Sequence, residues 1–305
     1  MSDFRYQLAK FIPFQDLAEC ERVRAITKEQ FTNHPNKDFQ IRIIEDIGDL
    51  NRAFGLDIVM RIKAARDDGR KIVIIFPVGP MGQYQVAADV INLLGLPLDH
   101  VTTFNMDEYA DEDGNTAPED WAGSFKTAMM GNFFGKIDAK LRPPMSQIHF
   151  PNTRNINDYG KMIDDLGGAD VCYGGVGWCG HIAFWEADLG FEFGDDLDAF
   201  MKAGPRIVEL NPMTIMQNAL HSFGGDWSWV PPKAATIGPA QIMGAKHRSF
   251  WLDGAVGNDS WQRFIARLAA HAYVNTLVPA TILQTARTDY TVLGKVAEDV
   301  KIHMS

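Results

Sequence analysis

Short apolar runs alternate with longer amphipathic stretches along most of the chain. The clearest run is Lys71–Val78, which is continuously apolar after its first residue, as a strand buried on both faces must be. Before it, Ile47–Ala65 has apolar residues at helical spacing, and Asp67–Asp68–Gly69 ends that predicted helix. A second helix is predicted from Tyr84 to Leu94, after a Gly/Pro-rich turn.

The same alternation continues to the end of the chain. Further strands are predicted at Phe39–Ile44, Val101–Met106, Gln147–Phe150, Asp170–Gly174, Arg206–Leu210, Ala234–Gly238, Ser249–Leu252 and Tyr290–Leu293. Further helices are predicted at Trp121–Phe134, Asn157–Leu166 and Ser260–Tyr273. Strands separated by helices indicate an α/β fold, with a mostly parallel sheet and helices on both faces. Residues 1–38 lack the pattern and are predicted to be an irregular N-terminal extension, and residues 39–305 to form a single domain.

In such a sheet, ligands bind beyond the carboxyl ends of the strands, so three loops are candidates for a site. The first is Pro77–Gly82, in which Gly79 and Met81 are candidate substrate contacts because a glycine-rich turn lets backbone N–H groups approach an anion. It has neither the G-x-G-x-x-G pattern nor a P-loop lysine, which argues against nucleotides and dinucleotides. A tight strand-to-helix turn without a ligand is the alternative interpretation.

The second loop, Phe104–Tyr109, brings polar groups to the end of a predicted buried strand. Asp107 is a candidate general base, since partial burial raises a carboxyl pKa towards the working range. Glu108 is a candidate substrate contact. The alternative is that Asp107 or Glu108 caps the next helix or forms a surface ion pair.

The third loop, Gly174–Glu186, has four glycines before a histidine. Such a backbone can fold closely around a small molecule and present the imidazole of His181, a side-chain type that suits proton transfer. Glu186 is placed to orient or charge that imidazole. The candidate substrate contacts in this loop are Gly175, Gly177, Cys179 and Gly180. Cys179 and His181 are two metal-ligand types, but two ligands do not make a site, and no metal is predicted.

Composition narrows the classes of partner. The formal net charge is −10, without Lys/Arg clusters, which argues against nucleic acid and anionic membranes but leaves a small anionic substrate open. The three cysteines form no CxxC pair, which indicates a reducing compartment. There is no signal-peptide pattern and no apolar run of about 18 residues. A cytoplasmic protein with a small-molecule partner is expected, and a homo-oligomer is left open.

Two of these loops resemble one enzyme family. Phe104–Tyr109 (FNMDEY) resembles the signature of the glucosamine-6-phosphate deaminases, and Gly174–Glu186 is similar to that family's segment G-G-V-G-N-D-G-H-I-A-F-N-E. Pro118–Phe134, between them, also fits, and the resemblance spans roughly residues 40–296. It implies the modified Rossmann-type fold shared with 6-phosphogluconolactonases. The lactonases typically carry D-E-R where this chain has Asp107–Glu108–Tyr109, so the deaminases are the closer branch.

The resemblance also implies roles for individual residues. Asp107 matches the aspartate that moves a proton between C1 and C2 of the opened sugar. His181 matches the histidine that helps to open the pyranose ring, and Glu186 matches the glutamate that supports it. Arg206 matches a basic residue that the family retains and is a candidate substrate contact. No metal or organic cofactor is required.

Departures from the family pattern concern the substrate. Trp178–Cys179 replaces the family's N-D pair, and Val78–Met81 replaces its T-G-G-T loop. Positions matching the family's phosphate-binding arginine and lysine fall near Leu220 and within Gly254–Gly257, where no basic residue stands. The leading hypothesis is therefore deamination or aldose–ketose isomerisation of an amino sugar or sugar phosphate, with a diverged substrate. A non-catalytic sugar-binding or regulatory homologue and a sugar lactonase are the alternatives.

Overall fold

Seven parallel strands form the central sheet of the computed structural model, which describes residues 6–302. The strands within the described residues are, in order, β1 (Phe39–Ile44), β2 (Ile72–Phe76), β3 (Val101–Asn105), β4 (Asp107–Ala110), β5 (Ile148–His149), β6 (Val171–Gly174), β7 (Arg206–Glu209), β8 (Lys233–Thr236), β9 (His247–Leu252), β10 (Ala255–Val256), β11 (Asp259–Ser260) and β12 (Thr288–Leu293). The central sheet has the order β1-β12-β9-β6-β2-β3-β5. Every residue of β2, β6 and β9 is buried, so the middle of the sheet is covered on both faces.

Helices connect these strands. They are α1 (Leu17–Arg24), α2 (Lys28–Phe31), α3 (Ile47–Asp67), α4 (Gly82–Leu94), α5 (Phe125–Asn132), α6 (Ile156–Asp164), α7 (Leu197–Met201), α8 (Pro212–Ser222), α9 (Pro239–Gly244), α10 (Arg263–His271) and α11 (Gly294–Ala297). Short 3₁₀ turns lie at Phe134–Lys136, Met145–Gln147, Ala187–Glu192, Trp227–Trp229 and Pro279–Thr285. The α/β fold with a parallel sheet confirms the prediction from the sequence. None of the helices between residues 6 and 302 is long and apolar enough to cross a membrane.

Two predicted features differ in the structure at the carboxyl edge of the sheet. β4, β8 and β7 form a separate three-stranded antiparallel sheet, whereas β7 and β8 were predicted in the parallel one. Asp107 begins β4 and pairs with Thr236, so it lies on a strand and not in an open loop. The reason is that the chain turns sharply at Met106, whose N–H donates to the Phe76 carbonyl and whose carbonyl accepts from Ile237. This small sheet holds Asp107 rigidly at the end of β3.

The N-terminal segment was predicted to be irregular, but it contains the helices α1 and α2. Asp16 caps α1 by accepting from the Glu19 N–H, and Thr27 and Gln30 form a capping box at α2. Val23 and Phe31 are fully buried in the same core as the central sheet. This segment therefore packs on the body of the fold. Residues 1–5 of the predicted extension and residues 303–305 of the predicted domain lie outside the described range.

Candidate active site

A cavity of about 500 Å³ opens at the carboxyl ends of β2, β3, β6 and β9. All three loops expected from the sequence contribute to its wall: Gly79 and Met81 from the first, Asp107 from the second, and His181 with its neighbouring glycines from the third. The structure thus brings these three chain segments together at one place.

Asp107 is the buried carboxylate of this cavity. Its side chain faces the cavity, and no residue within 6–302 donates a hydrogen bond to it. Burial raises the pKa of Asp107 well above its usual range, and the neighbouring negative charge of Glu108 adds to this effect. A carboxyl group with a raised pKa and no internal partner is suited to exchange protons with a ligand.

Glu108 does not line the cavity. Its two carboxylate oxygens accept four hydrogen bonds, from the N–H groups of Tyr109, Phe125 and Lys126 and from the Ser124 hydroxyl, at 2.8–3.1 Å. Glu108 therefore caps α5 from beneath. Glu108 was predicted to contact the substrate. It instead caps a helix, which was the alternative interpretation, because neither carboxylate oxygen is left to bind a ligand.

His181 lies at the opposite wall, with its Nδ1 atom turned into the protein. Nδ1 is 2.9 Å from the Thr214 hydroxyl, 3.2 Å from the Cys179 sulfur and 3.4 Å from Glu186 Oε2. Thr214 and Cys179 also both contact Glu186 Oε2, at 3.0 and 2.9 Å. This hydrogen-bond network, formed by Cys179, His181, Glu186 and Thr214, fixes the imidazole and leaves Nε2 for the cavity side.

Cys179 is a neutral thiol in this network. Burial raises its pKa well above the usual thiol range, and the Glu186 carboxylate adds to the effect. The thiol therefore donates to Glu186 and does not act as a negative group beside His181. Cys179, His181 and Glu186 include donor types that bind zinc, with ligand atoms within 4.8 Å of one another. Because their separations of 2.9–3.4 Å are hydrogen-bond distances, we interpret the group as a proton network.

Two glycines allow the loop to approach His181 closely. A Cβ atom on Gly177 would lie 1.9 Å from His181 Nε2, so any larger residue there would displace the ring. Gly180 has φ of +88°, a left-handed conformation that glycine adopts without strain. Gly175 and Gly177 line the cavity, whereas Gly180, Cys179 and Glu186 lie behind it and act through His181.

Arg206 does not reach the cavity. Its Nη1 donates to Glu192 Oε2 at 2.8 Å, and its guanidinium lies 4.5 Å from the centre of the Trp185 ring. The residue belongs to β7 of the small antiparallel sheet, and this strand directs it away from the cavity. The predicted substrate contact is therefore replaced by a packing role.

Three residues of the site were not predicted from the sequence. Thr214 lies in the first turn of α8 and is buried only because that helix packs over the third loop. Gln217, on the same helix, accepts from the Trp178 N–H at 2.7 Å and lines the cavity. Asp253 follows β9 and also lines the cavity, where burial raises its pKa to about 6. Its position directly after a predicted strand was the available signal.

The comparisons with known proteins agree with this fold. No protein-family model matches the chain. The chain is 33% identical over 220 residues to a glucosamine-6-phosphate deaminase of Caenorhabditis elegans, covering 70% of this chain and 76% of the relative. Its fold is similar to that of a monomeric glucosamine-6-phosphate deaminase, with a TM-score of 0.70 at 22% identity, over 84% of this chain and 98% of the other. A 6-phosphogluconolactonase from Trypanosoma cruzi has a TM-score of 0.63 at 14% identity, over 88% and 100%.

Proposed function

Because the chain belongs to the glucosamine-6-phosphate deaminase family, we propose that it deaminates and isomerises an amino sugar at this cavity. The observation that carries the proposal is that Asp107, buried and without an internal hydrogen-bond partner, and His181, held by its network, face the same cavity. A carboxyl group and an imidazole are the two proton carriers that this reaction needs.

The first step is ring opening. A closed sugar has no acidic C–H group, so a proton must move from the O1 hydroxyl to the ring oxygen O5 before any chemistry at C2. The imidazole of His181 can accept that proton on Nε2 and return it to O5. Thr214 and Glu186 hold Nδ1, so the ring stays correctly oriented while its charge changes.

The second step is proton transfer between neighbouring carbons. Asp107 removes the proton from C2 of the open aldehyde, which gives an enolamine with a C1–C2 double bond. The same carboxyl group then returns the proton to C1, and a C2 iminium forms. Water adds to C2 and ammonia leaves, so that the products are a ketose and ammonia. Burial of Asp107 raises its pKa, which makes it a stronger base for a weakly acidic C–H group.

Ammonia release and hydrogen exchange test this proposal. Purified protein is incubated in deuterium oxide with a panel of 2-amino sugars and their phosphates. We expect ammonia, and deuterium at C1 of the ketose. Asp107→Asn should lower kcat by at least about 1000-fold, whereas Asp195→Asn, an exposed aspartate outside the cavity, should keep the parent's activity. No ammonia and no exchange with any sugar would contradict the proposal and favour the non-catalytic sugar-binding alternative.

Lactone hydrolysis is a second candidate, favoured by the likeness of the fold to 6-phosphogluconolactonases. In that reaction a water activated by His181 attacks the lactone carbonyl, and no proton leaves carbon. A lactonase assay with the parent and with Asp107→Asn distinguishes the two reactions. Lactone hydrolysis transfers no proton from carbon, so it should persist in Asp107→Asn, whereas deamination should be lost.

We also propose that the protein works in a reducing compartment, the cytoplasm. Cys20, Cys172 and Cys179 are all buried free thiols, and Cys179 takes part in the network as a thiol. Localisation of a tagged protein tests this, and secretion would contradict it.

A further inference from the structure

The cavity has an unusual charge for the site of a phosphorylated sugar. Among its lining residues within 6–302 there is no lysine or arginine, and its two carboxylates are those of Asp107 and Asp253. His221 lines the mouth, but burial lowers its pKa, so it is neutral at pH 7. A phosphate dianion normally requires charge-assisted hydrogen bonds from basic side chains or from backbone N–H groups.

The loop between β2 and α4 lacks one of the backbone donors that a glycine-rich turn would supply. In the loop between β2 and α4, Pro80 has no N–H group, and the side chain of Gln83 donates back to the Pro80 carbonyl. With this donor missing and no basic side chain in the lining, the loop is a weaker binding place for an anion than an uninterrupted glycine-rich turn.

Asp253 lines the cavity at a distance from Asp107. It follows β9, and Asp107 follows β3, three strand spacings or about 14 Å away. Gln262 fixes this region by accepting from the Gly254 N–H at 2.9 Å and donating to the Val176 carbonyl at 2.6 Å. Within residues 6–302 the Asp253 carboxylate is hydrogen-bonded only by its own backbone N–H, so it keeps acceptor positions for a ligand.

The surroundings of Asp253 suit a neutral sugar chain. Trp261 lines the cavity beside it and is partly exposed, so its ring can meet the C–H groups of a sugar. The carboxylate of Asp253 can accept hydrogen bonds from neighbouring hydroxyl groups of a sugar. The same charge repels a phosphate group.

We propose that the substrate is an unphosphorylated 2-amino sugar whose hydroxyl groups at the end remote from C1 are held by Asp253. This inference rests on the proposed function. It differs from the substrate in the names of the relatives, which act on a 6-phosphate.

Comparison of one sugar with its own phosphate tests the inference. Ammonia release is measured for D-glucosamine, D-galactosamine and D-mannosamine, each with and without the 6-phosphate. We expect kcat/KM to be about 100-fold higher for at least one free amino sugar than for its phosphate. A higher kcat/KM for the phosphates would overturn the inference and leave the proposed function intact.

Variants identify the residue responsible. Asp253→Asn should lower kcat/KM for the free sugar about 10-fold and raise it for the phosphate, so the preference narrows. Asp195→Asn, which removes an equal charge from an exposed position, should leave both values unchanged. An unchanged preference in Asp253→Asn would contradict the role of Asp253.

Direct binding separates the inference from the proposed function. If no sugar releases ammonia, the proposed function fails, and titration calorimetry of the parent protein with the same pairs still decides the inference. Tighter binding of a free amino sugar supports it. Tighter binding of a phosphate, or binding of neither, overturns it.

Discussion

Asp107 illustrates, at the scale of one residue, how the site trades stability for function. Its pKa is raised because burial disfavours the charged form and Glu108 repels it. A carboxyl group with a folded-state pKa above its unfolded value costs the protein stability as pH rises from the unfolded pKa through the folded one. The buried charge that makes Asp107 a useful base therefore lowers the stability of the folded protein.

We expect Asp107→Asn to inactivate the protein and to stabilise it. The amide keeps the shape of the side chain but removes the buried charge, so the gain in Tm should be small near pH 4 and should grow towards pH 8. Thermal unfolding at several pH values measures this difference. The prediction fails if the variant is less stable than the parent at pH 8, or if the difference does not depend on pH.

Cys179 is a second residue whose charge state affects the stability of the site. Its neutral thiol donates to Glu186 Oε2, which carries the negative charge of the network. An aspartate at this position would put two carboxylates within hydrogen-bond distance in a buried site, where both cannot be ionised. Cys179→Ser keeps one donor and adds no charge.

We expect Cys179→Asp to lower the free energy of unfolding by on the order of 3 kcal/mol at pH 8, with a smaller loss at pH 5. The sign follows because a carboxyl group with a raised pKa destabilises increasingly as pH rises. Cys179→Ser should lose at most about 1.5 kcal/mol at both pH values. Urea denaturation at the two pH values checks both variants, and equal losses for Cys179→Asp at pH 5 and pH 8 would disprove the prediction.

At the scale of elements, β4 and α5 are coupled through Glu108. The side chain of this β4 residue caps the first turn of α5, and its charge also raises the pKa of Asp107 one residue earlier. Ser124 shares the cap, donating to Glu108 and accepting from the N–H groups of Lys126 and Thr127. Loss of the Glu108 charge therefore changes the pKa of Asp107, whereas loss of the cap lowers the stability of the protein.

We expect Glu108→Gln to move the acidic limb of the kcat/KM profile to lower pH, because Asp107 loses a repulsive neighbour. It should also cost about 1–3 kcal/mol of stability, since an amide cannot accept all four hydrogen bonds. Ser124→Ala is the matched control: it should cost about 1 kcal/mol and leave the acidic limb where it is. A limb that stays in place in Glu108→Gln would contradict the coupling.

At the scale of the whole molecule, the sequence predicted the central sheet better than the walls of the cavity. β1 was predicted at its observed bounds, and β2 within two residues, because buried parallel strands are continuous apolar runs. Thr214 and Gln217 could not be assigned, since they reach the site only through the packing of α8. The antiparallel sheet was missed because a sequence pattern gives strands but not their partners. The capping signals at Asp16 and Thr27 were available for the N-terminal helices.

One buried side chain joins the N-terminal segment to the rest of the fold. Arg267 on α10 is fully buried and donates to the carbonyls of Ile26 at 2.8 Å, Ala297 at 2.7 Å and Val296 at 3.4 Å. Its guanidinium also lies 5.1 Å from the centre of the Phe31 ring. It thus connects residues before β1 with residues after β12. Burial lowers its pKa because it disfavours the charged form.

We expect Arg267→Lys to lower the free energy of unfolding by on the order of 3 kcal/mol. An ammonium group cannot span the separate carbonyls that the planar guanidinium reaches, so buried acceptors are left without donors. Arg70→Lys, at an exposed arginine with only loose ion pairs, should change stability by less than about 0.5 kcal/mol. Urea denaturation measures both, and limited proteolysis should cleave Arg267→Lys within residues 6–31 faster than the parent. Because Arg267 lies outside the cavity, KM should not change at temperatures where the variant is folded. A variant as stable as the parent, or one with a changed KM, would contradict this role of Arg267.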